Sequence, residues 1–424
     1  MLKNRKVPIQ LVQSGDSRAV PGDEGLLAEG SRILIDTRVR KGPYWHLSQK
    51  AGCWCHSVYN RIYHPRAYIK PEDGGLMKEY EYLTQHVTMW NVAVERQIQV
   101  KGPDAEKFVD HVITRRASIV KPGACRYVIL CNQYGGVLND PILLRPHEDE
   151  FWFSLSDSDI GIYLQGINAV LKMDVEVHEI DVAPVQIQGP KATKLMSKIF
   201  GSFIDEMPYY GLAHSKIAGK DCVISKTGFS AEDGYEIYLY KAHENADAMW
   251  NAVLEAGKEF NLKVIAPGHH RRIEAGILSW GQDMDVENNP YEIGLGWQVD
   301  LTKDDFIGKE ALAKIKADGV THKLVGVRFD GKPITWYPSD FYHVHADGQL
   351  IGHISSAWYS PTQESNIGFA FVPVQYASLG TELTIHIPKI YSDAPVKGVV
   401  EKTPFKKPAN PGTGLLTSGQ KLET

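Results

Sequence analysis

The sequence predicts an α+β protein made of two similar halves followed by a small C-terminal β-barrel, and three observations carry that expectation. First, Gln97-Ile98-Gln99-Val100-Lys101-Gly102-Pro103-Asp104-Ala105 and Val185-Gln186-Ile187-Gln188-Gly189-Pro190-Lys191-Ala192 repeat one pattern, an alternating strand, a Gly-Pro step and a helix start, with the two glycines 87 residues apart. A strand-into-helix unit recurring at that spacing implies an internal duplication. Second, the chain from Lys323 to Val400 is rich in short β-type runs with turn pairs such as Ser360-Pro361, the profile of a small barrel. Third, 424 residues that are 43% hydrophobic and 23% charged supply cores for two or three domains.

Taken in order, residues 1–35 carry Gly-Asp and Pro-Gly turn pairs and form a loosely held N-terminal arm. Residues 36–180 are the first half. It opens on a segment where Arg38, Arg40 and Arg61 interleave with Tyr44, Trp45, His46, Trp54, His56, Tyr59 and Tyr63. Core packing explains such a segment poorly, which leaves an aromatic pocket wall or a protein interface, the pocket being favoured. A helix is expected over 79–90 and a strand over 92–100. That strand enters a helix at Pro103-Asp104, where proline suits the first turn and the acid suits the positive N-terminus. Strands follow at 126–130 and 137–144, joined by a Tyr134-Gly135-Gly136 turn. Residues 181–320 are the second half, with a hairpin at 227–240, a helix at 242–260 and a linker helix beginning at Phe306. Residues 321–405 form the barrel, and 406–424, rich in Lys, Pro, Gly, Ser and Thr, a disordered tail.

A net charge of -5 without a Lys/Arg block argues against nucleic acid as a partner. No run of about 18 apolar residues is present, so no membrane span is expected. Five scattered cysteines and no charged-then-apolar opening fit a reduced cytoplasm. Cys53-Trp54-Cys55-His56 has no second ligand pair to complete a tetrahedral site, so no metal is expected.

Two carboxylates stand out. Asp140 lies between two apolar runs and is followed by a proline that removes a ladder donor, an expensive place for a buried charge without a partner. It is either a strand-edge residue bonding its own turn or a buried acid aimed at a ligand amine. Glu236 shares a strand face with Gly234 and Tyr238, opposite Tyr235, Ile237 and Leu239. The pattern by itself favours a hairpin with one solvated glutamate. If that face lines a cavity, the glycine would let a planar ligand approach.

The run Thr227-Gly228-Phe229-Ser230-Ala231-Glu232-Asp233-Gly234-Tyr235-Glu236-Ile237 resembles the folate-site hairpin of the aminomethyltransferase family, the glycine cleavage T-proteins and their relatives. Arg272-x-Glu274-Ala275-Gly276, Gly281, Asp283 and Asn289-Pro290-Tyr291-Glu292-x-Gly294-Leu295 extend the likeness over about thirty residues. In all it spans roughly residues 80 to 404. Glu95-Arg96-Gln97 through Ala105, Asn139-Asp140-Pro141 and Gly234 to Tyr238 are most similar to the tetrahydrofolate-dependent demethylases of that family. The sequence departs at Phe229, where T-proteins usually carry Tyr, at Ser230-Ala231, and at His269-His270 in place of an Arg-Asp pair.

The resemblance implies a T-protein-like three-domain ring with two ferredoxin-like halves. It implies methyl transfer from a small-molecule donor to N5 of tetrahydrofolate. Asp140 would handle the N5 proton, Glu236 would pair with the pterin, and Tyr127, Phe229 and Arg272 would complete the cofactor site, Arg272 facing the carboxylate tail. A sulfonium donor of the dimethylsulfoniopropionate type would be held by an aromatic wall through cation–π attraction of about 0.5–2 kcal/mol. An aryl methyl ether of the methoxybenzoate type needs a proton donor for its phenolate. Tyr44, Trp45, His46, Trp54, Tyr209 and Tyr210 are the candidate substrate residues, with Arg38 and Arg40 for a substrate carboxylate. A lipoyl carrier is not expected as a partner; an aminomethyltransferase using that carrier, and a non-enzymatic folate-binding factor, are the remaining alternatives.

Overall fold

The structure is a computed structural model that describes residues 36–338 and 340–406. The expected N-terminal arm and the tail beyond residue 406 lie outside the described residues. The chain divides into two compact units. One contains Asp36–Gly268 and Gln298–Lys309, and the other contains His269–Trp297 and the chain from Glu310 onward.

The first unit opens with α1 (Trp45–Lys50), a hairpin of β1 (Cys55–Tyr59) and β2 (Ile62–Ala67), and α2 (Gly75–Gln85). Next come β3 (Thr88–Asn91), β4 (Gln97–Lys101), α3 (Ala105–Val112), β5 (Ala124–Tyr127), β6 (Leu130–Cys131), β7 (Val137–Asn139), β8 (Ile142–His147), β9 (Glu150–Ser154), α4 (Ile160–Leu171) and β10 (Glu176–Glu179). The second series is β11 (Val182–Gln188), α5 (Ala192–Phe200), β12 (Leu212–Ile217), β13 (Lys220–Ser225), β14 (Gly234–Tyr240), α6 (Ala242–Gly257) and β15 (Lys263–Val264).

The duplication is visible in the sheet orders. The first sheet runs β10-β4-β9-β8-β5 and the second β15-β3-β11-β14-β13-β12, so the second is the first with β3 inserted. Alternation explains each central strand: Ile98 and Val100 enter one core, while Val185 and Ile187 enter the other. Gln97, Gln99, Gln186 and Gln188 take the opposite faces. The sheets meet along a third cluster, with Cys125, Leu144 and Trp152 against Val182, Leu212, Val223 and Tyr238. Their edge strands bond directly, Cys125 N–H donating to Tyr210 O at 2.9 Å and Leu212 N–H to Gly123 O at 2.9 Å.

The two matched glycines do the same work. Gly102 and Gly189 have φ of +144° and +127°, and a Cβ would lie 2.3 Å from Asp174 O or 2.6 Å from His86 O. Only glycine lets each strand turn into its helix against a neighbouring backbone. Gly189→Ala is therefore expected to destabilise the unit by about 2–3 kcal/mol through combined strain and overlap. The check is thermal unfolding, with a melting temperature several degrees lower.

Three expectations of local structure are corrected. Residues 88–91 form a strand, not the end of a helix, because the fully buried Thr-Met-Trp-Asn run pairs with β11 and β15; short buried apolar runs do not distinguish helix from strand. The strand expected at 126–130 stops at Tyr127, and the one at 137–144 breaks at Asp140-Pro141, where proline cannot serve the ladder. Val128 N–H donates instead to Pro141 O at 3.1 Å, so both interruptions face each other.

In the other unit, α7 (His269–Glu274) packs on a closed barrel of β16 (His322–Phe329), β17 (Tyr342–Ala346), β18 (Gln349–Ser360), β19 (Ser365–Pro373), β20 (Glu382–His386) and β21 (Val396–Glu401). The linker helix expected from Phe306 is α8 (Lys309–Asp318). Among the described residues no helix is long and apolar enough to cross a membrane.

Candidate active site

The hairpin of β13 and β14 sets Glu236 at the junction of the two sheets. Tyr235, Ile237 and Leu239 enter the second core, as the alternation requires. The opposite face turns Tyr238 toward Cys125, Leu144 and Trp152 of the first half and carries Glu236 with it. Glu236 is 2% exposed, which corrects the solvated glutamate that the pattern favours. Gln186, its direct partner in register, donates to Oε1 at 2.6 Å. Oε2 accepts Thr227 Oγ1 at 2.7 Å, the Tyr238 hydroxyl at 2.5 Å and Ser225 Oγ at 3.4 Å. Four donors on a buried carboxylate meet the requirement for burying it. Gln186 Oε1, also buried, has no hydrogen-bond partner. The space beside Gly234 is filled by the Gln188 amide, whose atoms would lie about 2.4 Å from a Cβ. That glycine accommodates a protein side chain, not a planar ligand.

Asp140 occupies the gap between β7 and β8. It is 8% exposed, with Oδ2 accepting the Tyr127 hydroxyl at 2.9 Å and Oδ1 accepting Ser156 Oγ at 2.5 Å. The proline after it ends the ladder, so the carboxylate turns to hydroxyls from β5 and from the segment after β9. Burial, and then the Asp140 charge, push the Tyr127 phenol well above its ordinary range, so it remains a donor at neutral pH.

Two further residues join this cluster. The β1–β2 turn places Asn60 and Arg61 at φ of +50° and +62°, the paired left-handed conformation of a tight hairpin. The Asn60 amide donates to Val94 O and Ser156 O, each at 3.0 Å, pinning the hairpin tip beside Asp140. Tyr59, the preceding residue, lies beside Ser156 and within the fields of Glu95, Asp140 and Asp157; burial first and these charges next raise its phenol well above the usual range. Glu95 lies on the turn between β3 and β4, one strand from each sheet, and accepts Ser154 Oγ at 3.1 Å. Burial, then the Glu236 charge, push its carboxyl well above the ordinary carboxylate range. Glu95 and Glu236 are thus electrostatically linked, and Glu95 and Asp140 both act on Tyr59.

Of the remaining expected residues, the Tyr209 and Tyr210 rings lie 4.3 Å apart, tilted by 48°, and Glu236 contributes to raising the Tyr209 phenol, after burial and Tyr210. The Arg126 guanidinium lies 5.5 Å from the Tyr210 ring centre. Phe229 packs on Leu83, Trp90, Val92 and Ile265. Trp45 contacts His56 and Tyr63 at 4.8 and 4.5 Å on a half-exposed face, and Trp54 is half-buried at the base of the hairpin.

The structure places the other expected residues as follows. Tyr44 is a core residue, fully buried against Trp250 with its hydroxyl on Ala183 O, because α1 turns it inward. His46 is exposed and pairs with Asp247 at 2.8 Å. Arg38 is exposed beside Asp36, and Arg40 pairs with Glu179. Arg272 belongs to the other unit, where it is fully buried on Asp283 at 2.5 Å and Ser356 at 2.7 Å. Its guanidinium closes a structural network between α7, the following turn and β18. His269 and His270 are buried there too, and burial against Trp358 pulls His270 down to about 3.

Glu95, Ser154, Ser156, Gln186, Ser225, Thr227 and Tyr238 were not anticipated as site residues, and Tyr59 only as one member of the aromatic segment. The alternating Phe153-Ser154-Leu155-Ser156 and Val185-Gln186-Ile187-Gln188 runs, polar on one face of apolar strands, carry a signal for three of these positions. Nothing local marks Glu95, or singles Tyr59 out of its aromatic segment; they arrive through an intersheet turn and a hairpin tip.

The chain matches the GCVT N-terminal domain over residues 44–303 and the glycine cleavage T-protein C-terminal barrel domain over residues 322–407. It is 32% identical over 356 residues to dimethylsulfoniopropionate demethylase DmdA of Ruegeria pomeroyi, covering 84% of this chain and 95% of that protein. It is 36% identical over 327 residues to an aminomethyltransferase of Clostridium botulinum, covering 74% and 86%. The crystal structure of glycine cleavage system aminomethyltransferase T from Bartonella henselae shares the fold, with a TM-score of 0.77 at 23% identity over 87% of this chain and 99% of that one. On the strength of both domains and of these relatives, the chain belongs to the glycine cleavage T-protein family of folate-dependent one-carbon transferases.

Proposed function

We propose that this protein is a tetrahydrofolate-dependent demethylase that transfers a methyl group from a small carboxylate-bearing sulfonium donor to N5 of tetrahydrofolate. The observation that carries the reading is the tip of the aromatic hairpin, where Asn60, next to Tyr59, donates to Ser156 O at 3.0 Å while Ser156 Oγ donates to Asp140. It joins the segment assigned to the donor with the acid assigned to the folate. The match to dimethylsulfoniopropionate demethylase over nearly that protein's whole length supports it further.

In this reading Glu236 holds the pterin's amide and amino donors, aided by the unoccupied acceptor Gln186 Oε1. Asp140, oriented by Tyr127 and Ser156, faces N5. The N5 lone pair attacks the methyl carbon, the carbon–sulfur bond breaks with its electron pair on sulfur, and the N5 proton passes toward Asp140. The departing thioether is neutral and needs no acid, so positioning and local electrostatics carry the catalysis. Arg126, near the Tyr209–Tyr210 pair, replaces Arg272 as the candidate for an anionic tail. One observation favours an aryl methyl ether as the alternative donor: the Tyr59 and Tyr127 phenols beside Asp140 could stabilise a leaving phenolate.

The test is formation of 5-methyltetrahydrofolate from purified protein and tetrahydrofolate, with dimethylsulfoniopropionate and 2-methoxybenzoate offered separately. Product from the sulfonium alone is expected. Product from the ether alone would transfer the site to aryl donors. Product from neither, with folate bound, would return the protein to aminomethyl transfer or folate binding.

A further inference from the structure

The aromatic hairpin, β1 and β2, is a two-stranded sheet of its own, joined to neither larger sheet among the described residues. A lone hairpin is marginally stable in water, so side chains outside it decide where it stands. Its tip is held by the first half: the Asn60 amide reaches Val94 O and Ser156 O, and the Asn60 N–H donates to Asp157 Oδ1 at 2.6 Å. Its base is held by one carboxylate. Glu79 lies in the buried stripe of α2 with Leu76, Tyr80 and Leu83, and is 3% exposed. Oε1 accepts the Tyr68 and Ile69 N–H groups, immediately after β2, at 2.7 and 2.9 Å. Oε2 accepts the Ala266 N–H at 2.9 Å. Ala266 follows Ile265, whose N–H donates to Met89 O of β3 at 3.2 Å. The carboxylate therefore joins the end of the hairpin to the edge of the second sheet, where Cys53, Tyr68 and Ala266 pack together.

We propose that Glu79 is the positioning residue of the donor segment: its carboxylate sets the base of the hairpin against the second half, as Asn60 sets the tip against the first. This rests on the reading that places the donor at the aromatic hairpin. A proton on the carboxyl would undo the tie. Oε1 already accepts two N–H groups, so the proton sits on Oε2, where a hydroxyl donor then faces the Ala266 N–H donor. The Tyr68 and Ile69 bonds remain, and the link to the second half is lost.

Burial lifts the Glu79 carboxyl from the ordinary 4.5 to about 7, against the pull of its three N–H donors. Of the groups that face it, burial pushes the Cys53 thiol up to about 12 and the Tyr68 phenol well above its usual range, so both stay neutral. Lys78 and Glu81 of the same helix pair with each other at 2.7 Å, half exposed. His56 and His64 of the hairpin are lowered from 6.5, chiefly by burial, and change charge at more acidic pH. Ionised Glu79 keeps the hairpin seated, so donor binding tightens as pH rises through about 7. A released hairpin lowers the fraction of protein competent to bind the donor, which raises KM and leaves kcat, a property of the bound state. Folding responds with the opposite sign. Between about 4.5 and 7 the folded chain holds a Glu79 proton that the unfolded chain has released, so this group's contribution to stability falls as pH rises. A residue that merely supported the fold would move donor binding and stability together.

The test is Glu79→Gln in the full chain, an isostere fixed in the neutral state that wild type already adopts below about 7, and therefore expected to fold. Wild-type KM for dimethylsulfoniopropionate is expected to fall about tenfold between about pH 6 and about pH 8, the change in the ionised fraction. Glu79→Gln should keep the acid-side KM at both, about tenfold or more above wild type at the higher pH. At that pH kcat should stay within about threefold and tetrahydrofolate affinity within about twofold. Amide exchange over residues 55–69 and 263–268 reads the tie without any substrate. Compared at one pH, which cancels the intrinsic dependence of exchange, the variant should exchange faster than wild type near pH 8 and equally near pH 6, about one unit either side of the titration. A variant KM equal to wild type at the higher pH, a flat wild-type KM, or exchange unchanged by the substitution overturns the assignment. Should the variant not fold, the wild-type KM profile decides. Absence of methyl transfer by wild type overturns the donor reading instead, and exchange alone then decides whether Glu79 holds the hairpin.

Discussion

Asp140→Asn is expected to slow methyl transfer by about 10²- to 10⁴-fold, the range for losing a positioned proton-transfer group. Asparagine preserves the size of the side chain, and the Tyr127 and Ser156 hydroxyls can each rotate to meet an amide. Folding should survive, because the backbone break at Pro141 is unchanged. What is lost is a basic oxygen near N5, which therefore keeps its proton as the methyl group arrives. Single-turnover formation of 5-methyltetrahydrofolate measures the rate, and titration of the same variant with tetrahydrofolate measures binding. A rate near wild type would remove Asp140 from the chemistry. Joint loss of rate and binding would make it a folate-holding residue.

Glu236→Gln should weaken tetrahydrofolate binding roughly 10- to 150-fold, which corresponds to losing a charge-assisted pair worth about 1.5–3 kcal/mol. The carboxylate is an acceptor on both oxygens, whereas glutamine offers one acceptor and one donor. Gln186 Nε2, Thr227, Tyr238 and Ser225 all donate to this position, so the new amide also meets a donor already in place. Some stability loss is therefore expected with the binding loss. Glu236→Asp separates the two effects: it keeps the charge and shortens the reach, so folate should still bind better than to Glu236→Gln. Equal affinity of wild type and Glu236→Gln would exclude Glu236 from the pterin contact.

Much of the architecture was legible because it follows from periodicities that one strand or helix displays by itself. Gly102-Pro103 and Gly189-Pro190 announced the duplication, since each glycine is forced by a backbone that approaches its Cα. The opposed faces of β14 followed from the period of two. The helix expected to run to Trp90 was misjudged because burial of residues 88–91 on all sides erases the polar alternation that would mark a strand. The insertion of β3 into the second sheet was invisible for a related reason: its partners, β11 and β15, lie about a hundred residues or more away.

The sequence alone determined the two α+β halves and the barrel, and singled out the acids Asp140 and Glu236 as candidates, because strand alternation, Gly-Pro steps and ordered motifs are properties of short chain segments. Only the tertiary structure decided which side chains join those acids. Tyr59 reaches Ser156 because Asn60 ties a hairpin tip to Val94 and Ser156, and Glu95 meets the field of Glu236 because one turn crosses between sheets. Tyr44 and Arg272 carry residue types suited to ligands, yet a core and a buried ion pair claim them. A residue's type states what it can bond, but its partner is set by contacts between distant segments, and these exist only once the chain has packed.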